Sequence, residues 1–153
     1  MAQLSEGKKA PAFKAKDQNG TTVSLSDFKG KKIVLYFYPE DDTPTCTVEA
    51  CNLRDNYKVL QKEGLVVLGV SPDDEKKHKK FEEKYKLPFT LLADPEKKII
   101  EKYGVWGEKN MYGRKYIGLL RTTFLIDEKG FIQKIFRKPK SKIHSEEILS
   151  ALG

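Results

Sequence analysis

Ile33-Val34-Leu35-Tyr36-Phe37-Tyr38 runs directly into Pro39-Glu40-Asp41-Asp42-Thr43-Pro44-Thr45-Cys46, and the handover between the two decides the fold. The first stretch is apolar throughout and rich in β-branched and aromatic residues, which predicts a strand buried on both faces. Pro39 ends it, because proline cannot donate to a ladder. Thr43 then reads as a helix N-cap with Pro44 at the first helical position. Val48, Leu53, Tyr57 and Leu60 keep roughly helical spacing, and Gly64 stops the helix.

The pattern repeats outward. Leu65 to Val70 reads as a second buried strand, and Ser71-Pro72-Asp73 as the cap of a charged helix reaching about Tyr85. Phe89 to Ala93 is a third strand, and Pro95 to Tyr103 a helix. Gly104 to Gly118 carries four glycines and reads as loop. Arg121 to Ile126 and Phe131 to Phe136 form a hairpin about Asp127-Glu128-Lys129-Gly130. A helix from about Ser145 to Leu152 closes the chain. Val23, Leu25 and Phe28, between Gly20 and Gly30, give a short strand and turn near the start. Strands alternating with helices, then a hairpin, predict an α/β fold on a mixed sheet. The 153 residues are expected to form one domain, 1–153.

Composition narrows the function. Apolar residues make up 39% and charged residues 33%, as in a soluble globular protein. No apolar run approaches membrane-span length, and Met1 to Ala10 holds no signal-peptide block, so a cytoplasmic location is expected. The net charge of +7 is spread among acids rather than concentrated. The most one-sided stretch, Lys134 to Lys142, reads as solvated surface. His78 and His144 lie in charged segments and read as exposed. With only Cys46 and Cys51 as thiols, four-ligand zinc chemistry is not expected.

Cys46 falls in the first turn of a helix that follows a buried strand. Unpaired N–H groups and the positive end of the helix dipole favour a thiolate there. Two readings stand on this ground alone: a reactive thiol, or a small buried residue filling the core.

Pro39-x-x-x-Thr43-x-x-Cys46 resembles the signature of the peroxiredoxins. Thr43-Pro44-Thr45-Cys46-Thr47, with Cys51-Asn52-Leu53-Arg54-Asp55 after it, is similar to the bacterioferritin comigratory protein (PrxQ) branch. The similarity continues through Gly69-Val70-Ser71, Phe89 to Asp94, Gly104 to Lys109 and Arg121 to Asp127, covering nearly the whole chain. Thr45 departs from the glycine common in this branch, which predicts an altered loop with activity kept.

The resemblance implies a thioredoxin-like fold, a mixed central β-sheet flanked by helices, and a thiol-dependent peroxidase. Cys46 would attack the peroxide and become a sulfenic acid. Thr43 would bond thiolate and peroxide through its hydroxyl. Arg121 would bring a fixed positive charge to both. Pro39 would shape and dry the pocket. Glu49 resembles the family's acidic residue one turn on, either orienting Arg121 or serving the helix dipole. Cys51 would be the resolving thiol; otherwise it is a helix-face thiol and resolution needs an external partner. On an ideal helix, residues five apart have Cα atoms about 8.7 Å apart, beyond the roughly 7 Å limit of a disulfide. Pairing Cys46 with Cys51 therefore requires residues 43–53 to unwind. The implied partners are a peroxide and thioredoxin or a related dithiol protein, with no prosthetic group, no nucleic acid, no membrane, and a monomeric or dimeric chain.

Rival readings are weaker. A thioredoxin-like disulfide reductase would carry Cys-x-x-Cys, whereas the spacing here is Cys-x-x-x-x-Cys. A basic nucleic-acid module would interleave aromatics with its basic residues. A cysteine-protease site would need a general-base histidine near the nucleophile.

Overall fold

A computed structural model describes residues 4–152. Its strands and helices, in chain order, are β1 (Lys14–Asp17), β2 (Thr22–Ser24), β3 (Lys32–Phe37), α1 (Pro44–Asp55), α2 (Tyr57–Lys62), β4 (Leu65–Ser71), α3 (Glu75–Tyr85), β5 (Thr90–Ala93), α4 (Lys98–Lys102), β6 (Trp106–Met111), β7 (Arg114–Leu119), β8 (Thr122–Ile126), β9 (Ile132–Phe136) and α5 (His144–Leu152). Short 3-10 turns cover Leu25–Phe28 and Ser141–Ile143.

β3 sits inside a mixed seven-stranded sheet of order β2-β1-β5-β4-β3-β8-β9. It runs parallel to β4, with Leu35 opposite Leu68, and antiparallel to β8, with Leu35 opposite Phe124. Successive side chains of a strand point to opposite faces. Ile33, Leu35 and Phe37 accordingly join one core with Tyr103, Phe124 and the α4 residues Ile99 and Ile100. Val34, Tyr36 and Tyr38 join the other, under α1, α2, α3 and α5, with Leu53, Leu60, Phe81 and Ile148. A strand feeding both cores must be apolar on both faces, which is why this run reads without alternation.

Several sequence expectations need correction. The helix after Cys46 is two helices, broken at Asn56, whose side-chain amide donates to the Asn52 carbonyl at 2.9 Å and competes with the backbone ladder. Asp74, not Ser71-Pro72-Asp73, caps α3, accepting from the Lys77 amide. Pro95 lies in a turn rather than a helix, and Lys97, at φ 60°, delays α4 to Lys98. Lys14–Asp17 also forms a strand, where no strand was expected.

Gly104 to Gly118 is largely not loop. It holds the β6–β7 hairpin, with Trp106 opposite Leu119 and Gly107 opposite Gly118. Tyr112 and Gly113 turn it at φ 53° and 80°, the paired left-handed conformations of a two-residue hairpin. His78 and His144 are fully buried rather than exposed. His78 lies one turn before the buried Phe81 on α3's inner face, a spacing that marks the core side of a helix.

Candidate active site

Strand β3 ends at Phe37, and the chain returns into α1 through residues 38–43, so the loop crosses the C-terminal edge of the parallel strands. Crevices outside those strand ends are the usual sites of α/β sheets. Cys46 is the third residue of α1 and is buried, with 1% of its surface exposed. The first-turn N–H groups of a helix lack intrahelical partners and concentrate the dipole's positive end.

Arg121, immediately before β8, reaches the same point from another part of the sheet. Its Nη2 lies 3.2 Å from the Cys46 Sγ, and its Nη1 donates to the Glu49 Oε1 at 2.9 Å. The guanidinium thus bridges the sulfur and a carboxyl one helical turn later. Burial opposes the charge of Arg121, yet Glu49 and Cys46 more than offset this, and its pKa stands above its ordinary value. Burial pushes the Glu49 carboxyl up to about 7 against the pull of Arg121. Its Oε2 is buried without a hydrogen-bond partner, as is the Tyr36 hydroxyl. Burial, then the charge of Glu49, raises the Tyr36 phenol well above its ordinary value.

Thr43 occupies the N-cap position, but its hydroxyl does not cap α1. It donates instead to the Glu40 carbonyl at 2.9 Å. The expected bond from Thr43 to the sulfur is therefore not made in this state. Its lone pairs remain free to accept from a hydroperoxide O–H. Pro39 is half-buried at the end of the strand, and Thr45 is exposed at the second position of α1. Cys51 is a free, half-buried thiol on the same intact helix.

Apart from His78, the buried groups beneath this loop carry no local signal in the sequence. The Asp41 carboxylate accepts from the Tyr38 hydroxyl at 2.5 Å and contacts His78 Nδ1 at 2.6 Å. Asp41, Asp73 and His78 bring ligand-type atoms within 4.8 Å of one another. Both His78 nitrogens are already engaged, Nε2 with the Leu92 carbonyl at 2.9 Å, so this cluster is a hydrogen-bond network. Behind α1, His144 contacts the Thr123 hydroxyl at 2.8 Å and Glu147 at 2.9 Å.

Known proteins carry the same arrangement of sequence and fold. The AhpC/TSA family matches residues 7–135. The chain is 51% identical over 146 residues to Peroxiredoxin Bcp of Bacillus subtilis, covering 95% of this chain and 93% of that protein. A cysteine-to-serine mutant of Xylella fastidiosa PrxQ superposes with a TM-score of 0.91 at 31% identity, over 99% of this chain and 97% of the other. A Xanthomonas campestris bacterioferritin comigratory protein, described by its alkyl peroxide reduction activity, superposes at 0.85 with 34% identity, over 92% and 89%. The chain is therefore a member of the AhpC/TSA family, among the peroxiredoxins of the Bcp and PrxQ type.

Proposed function

We propose that Cys46 carries the peroxidase chemistry of this family member, with Arg121, Thr43, Pro39 and Glu49 forming its pocket and Cys51 as the resolving thiol. The observation that supports it best is the guanidinium held 3.2 Å from the Cys46 sulfur. The Cys46 thiolate attacks the outer oxygen of the hydroperoxide. An S–O bond forms, the O–O bond breaks, and the departing oxygen takes the electron pair and a proton to leave as water or an alcohol. Charge builds on that oxygen, and Arg121 is a fixed donor beside it, needing no reorganisation. Thr43, its own hydrogen committed to Glu40, orients the peroxide by accepting the O–H. Glu49 holds Arg121 at one nitrogen and leaves the other for sulfur.

Cys51 then attacks the Cys46 sulfenic acid, releasing water and forming the disulfide. A thiol reductant returns both cysteines by exchange. We take this reductant to be thioredoxin or a similar dithiol protein of a reducing, cytoplasmic-type compartment. Hydrogen peroxide and organic hydroperoxides are the proposed substrates, the second supported by the activity ascribed to the Xanthomonas relative. We take a single-domain chain, monomeric or dimeric, as the working unit. Neither nucleic acid nor membrane enters this reading: Arg137 is tied to the Leu4 carbonyl and Lys134 lies 4.0 Å from Glu6. No helix among the described residues is long and apolar enough to cross a membrane.

The test is the second-order rate of hydrogen peroxide consumption with dithiothreitol as reductant. Arg121→Ala should lower it by about a hundredfold or more, as loss of a preorganised charge donor does. Arg121→Lys should recover only part, since an ammonium cannot bond sulfur and Glu49 in one plane. An Arg121→Ala variant as fast as the parent would remove the arginine from the mechanism.

A further inference from the structure

Five residues before the reactive sulfur, a carboxylate and an imidazole are buried together, and the peroxide chemistry uses neither. The Asp41 and His78 side chains are both fully shielded and meet at 2.6 Å. Asp41 is held at three points. Its amide donates to Asp73 at 2.7 Å, and its carboxylate takes Tyr38 on one oxygen and His78 on the other. His78 is fixed at its far nitrogen by the Leu92 carbonyl of β5. A carbonyl oxygen only accepts, so Nε2 carries a hydrogen and one further proton sits between Nδ1 and Asp41. Asp73 is in turn fixed by the Ser71 hydroxyl at 2.7 Å.

The remaining ties of the loop are exposed. Glu40 pairs with Lys77, and Asp42, at φ 61°, pairs with Lys84 and Tyr85. Exposed pairs contribute little to holding a geometry. The buried Asp41 contacts are therefore the fixed point of residues 39–43. Thr43 lies two residues on, tied to Glu40 and opening α1.

We infer that Asp41 and His78, with Tyr38, are a positioning unit for peroxide attack: they lock the Thr43 loop to α3 and β5 so that Thr43 and Cys46 keep one mutual geometry and regain it after each unwinding of α1. This rests on the peroxidase reading above. The unit touches no substrate and acts through Thr43. Its loss should slow the reaction that needs Thr43 while sparing chemistry that needs only a free thiolate.

The experiment follows the Cys46 peptide by mass spectrometry with two reagents, hydrogen peroxide and iodoacetamide, in the full chain. Asp41→Ala should slow oxidation by about tenfold or more, since small misplacements of a reacting pair carry such costs. Its alkylation rate should stay within about twofold of the parent. Asp41→Asn keeps both bonds, accepting from Tyr38 and donating to His78 Nδ1, and should restore most of the oxidation rate. Tyr38→Phe removes one bond without disturbing the ring packing and should show the same split between reagents, reduced to a few-fold. It decides the matter if Asp41→Ala loses cooperative melting. Equal slowing with both reagents would make the pair a general stabiliser and overturn the inference. So would a fast Asp41→Ala, or an Asp41→Asn as slow as Asp41→Ala. If the parent's own Cys46 ignores peroxide while iodoacetamide still labels it, the peroxidase reading has failed, and the inference with it.

Discussion

Glu49 is where single-residue chemistry has its clearest consequence. Its carboxyl is buried beside Arg121 and holds its proton to about pH 7, against an ordinary value of 4.5. The folded state therefore binds more protons than the unfolded state between those values, and raising the pH through this window favours unfolding. Over that interval the loss amounts to something on the order of 3 kcal/mol. Glu49→Gln has no proton to lose, so the parent should fall behind this variant in urea stability as pH rises from about 4.5 to about 7. A difference between the two that stays flat across the window would show that Glu49 is ionised throughout. The resemblance made Glu49 and Arg121 legible in the sequence and offered their contact as one of two readings of Glu49; the structure makes that bond. No spacing rule chooses between those readings, because the β3–β8 pairing that sets Arg121 near α1 joins distant parts of the chain. The histidines failed for a related reason. Charged neighbours suggested solvent, whereas the partners that make burial tolerable, Asp41 for His78 and Thr123 for His144, are distant in sequence.

At the scale of elements, the proposed cycle asks α1 to be both a precise platform and a segment that comes apart. Cys46 and Cys51 lie five residues apart on one helix, so the proposed disulfide between them requires unwinding. Its second half is fastened to the 3-10 turn before α5 and to the first turn of α5. The Asn52 amide donates to the Lys142 carbonyl at 2.9 Å, and its oxygen accepts from the Ser145 amide at 2.8 Å. Asn52 adjoins Cys51, so these bonds resist the motion that resolution needs. Asn52→Ala removes two bonds of roughly 1 kcal/mol each. Disulfide formation from the sulfenic acid should then quicken by about tenfold, with a matching rise in amide exchange over α1. An unchanged rate would mean that unwinding starts elsewhere or is not limiting. The main strands and helices were legible because apolar runs and helical spacing report burial directly. The β6–β7 hairpin was not. Its four flanking and internal glycines mimic a loop, though only Gly104 and Gly113 adopt positive φ, while Gly107 and Gly118 pair as ordinary strand residues.

Across the whole molecule, β3 ties the two cores together. Leu35 serves the face closed by α4, and its neighbours Val34 and Tyr36 the face under α1, α3 and α5. A defect on one face is therefore felt on the other. Leu35→Ala should cost about 2–5 kcal/mol, as large-to-small changes in a packed core do. Trp106 fluorescence reports Leu35's face, and far-UV circular dichroism reports mainly the helices of the opposite face. The two signals should melt with one midpoint, in the parent and in the variant. Two midpoints would divide the molecule into separately folding layers. The sequence foretold the mixed sheet because buried strands alternate with helices and an antiparallel hairpin follows. The strand order, with β1 and β2 beyond β5, was not legible, since short, half-exposed strands such as Lys14–Asp17 carry little apolar pattern.

The central claim is that Cys46 is oxidised by peroxide and resolved by Cys51, and mass measurement of the intact protein tests it most directly. The reduced parent, Cys46→Ser and Cys51→Ser each receive one equivalent of hydrogen peroxide. The parent should lose two hydrogens, Cys51→Ser should gain one oxygen at Cys46, and Cys46→Ser should remain unchanged. If Cys46 persists as a free thiol in the parent after minutes in modest excess peroxide, the account is contradicted at its centre.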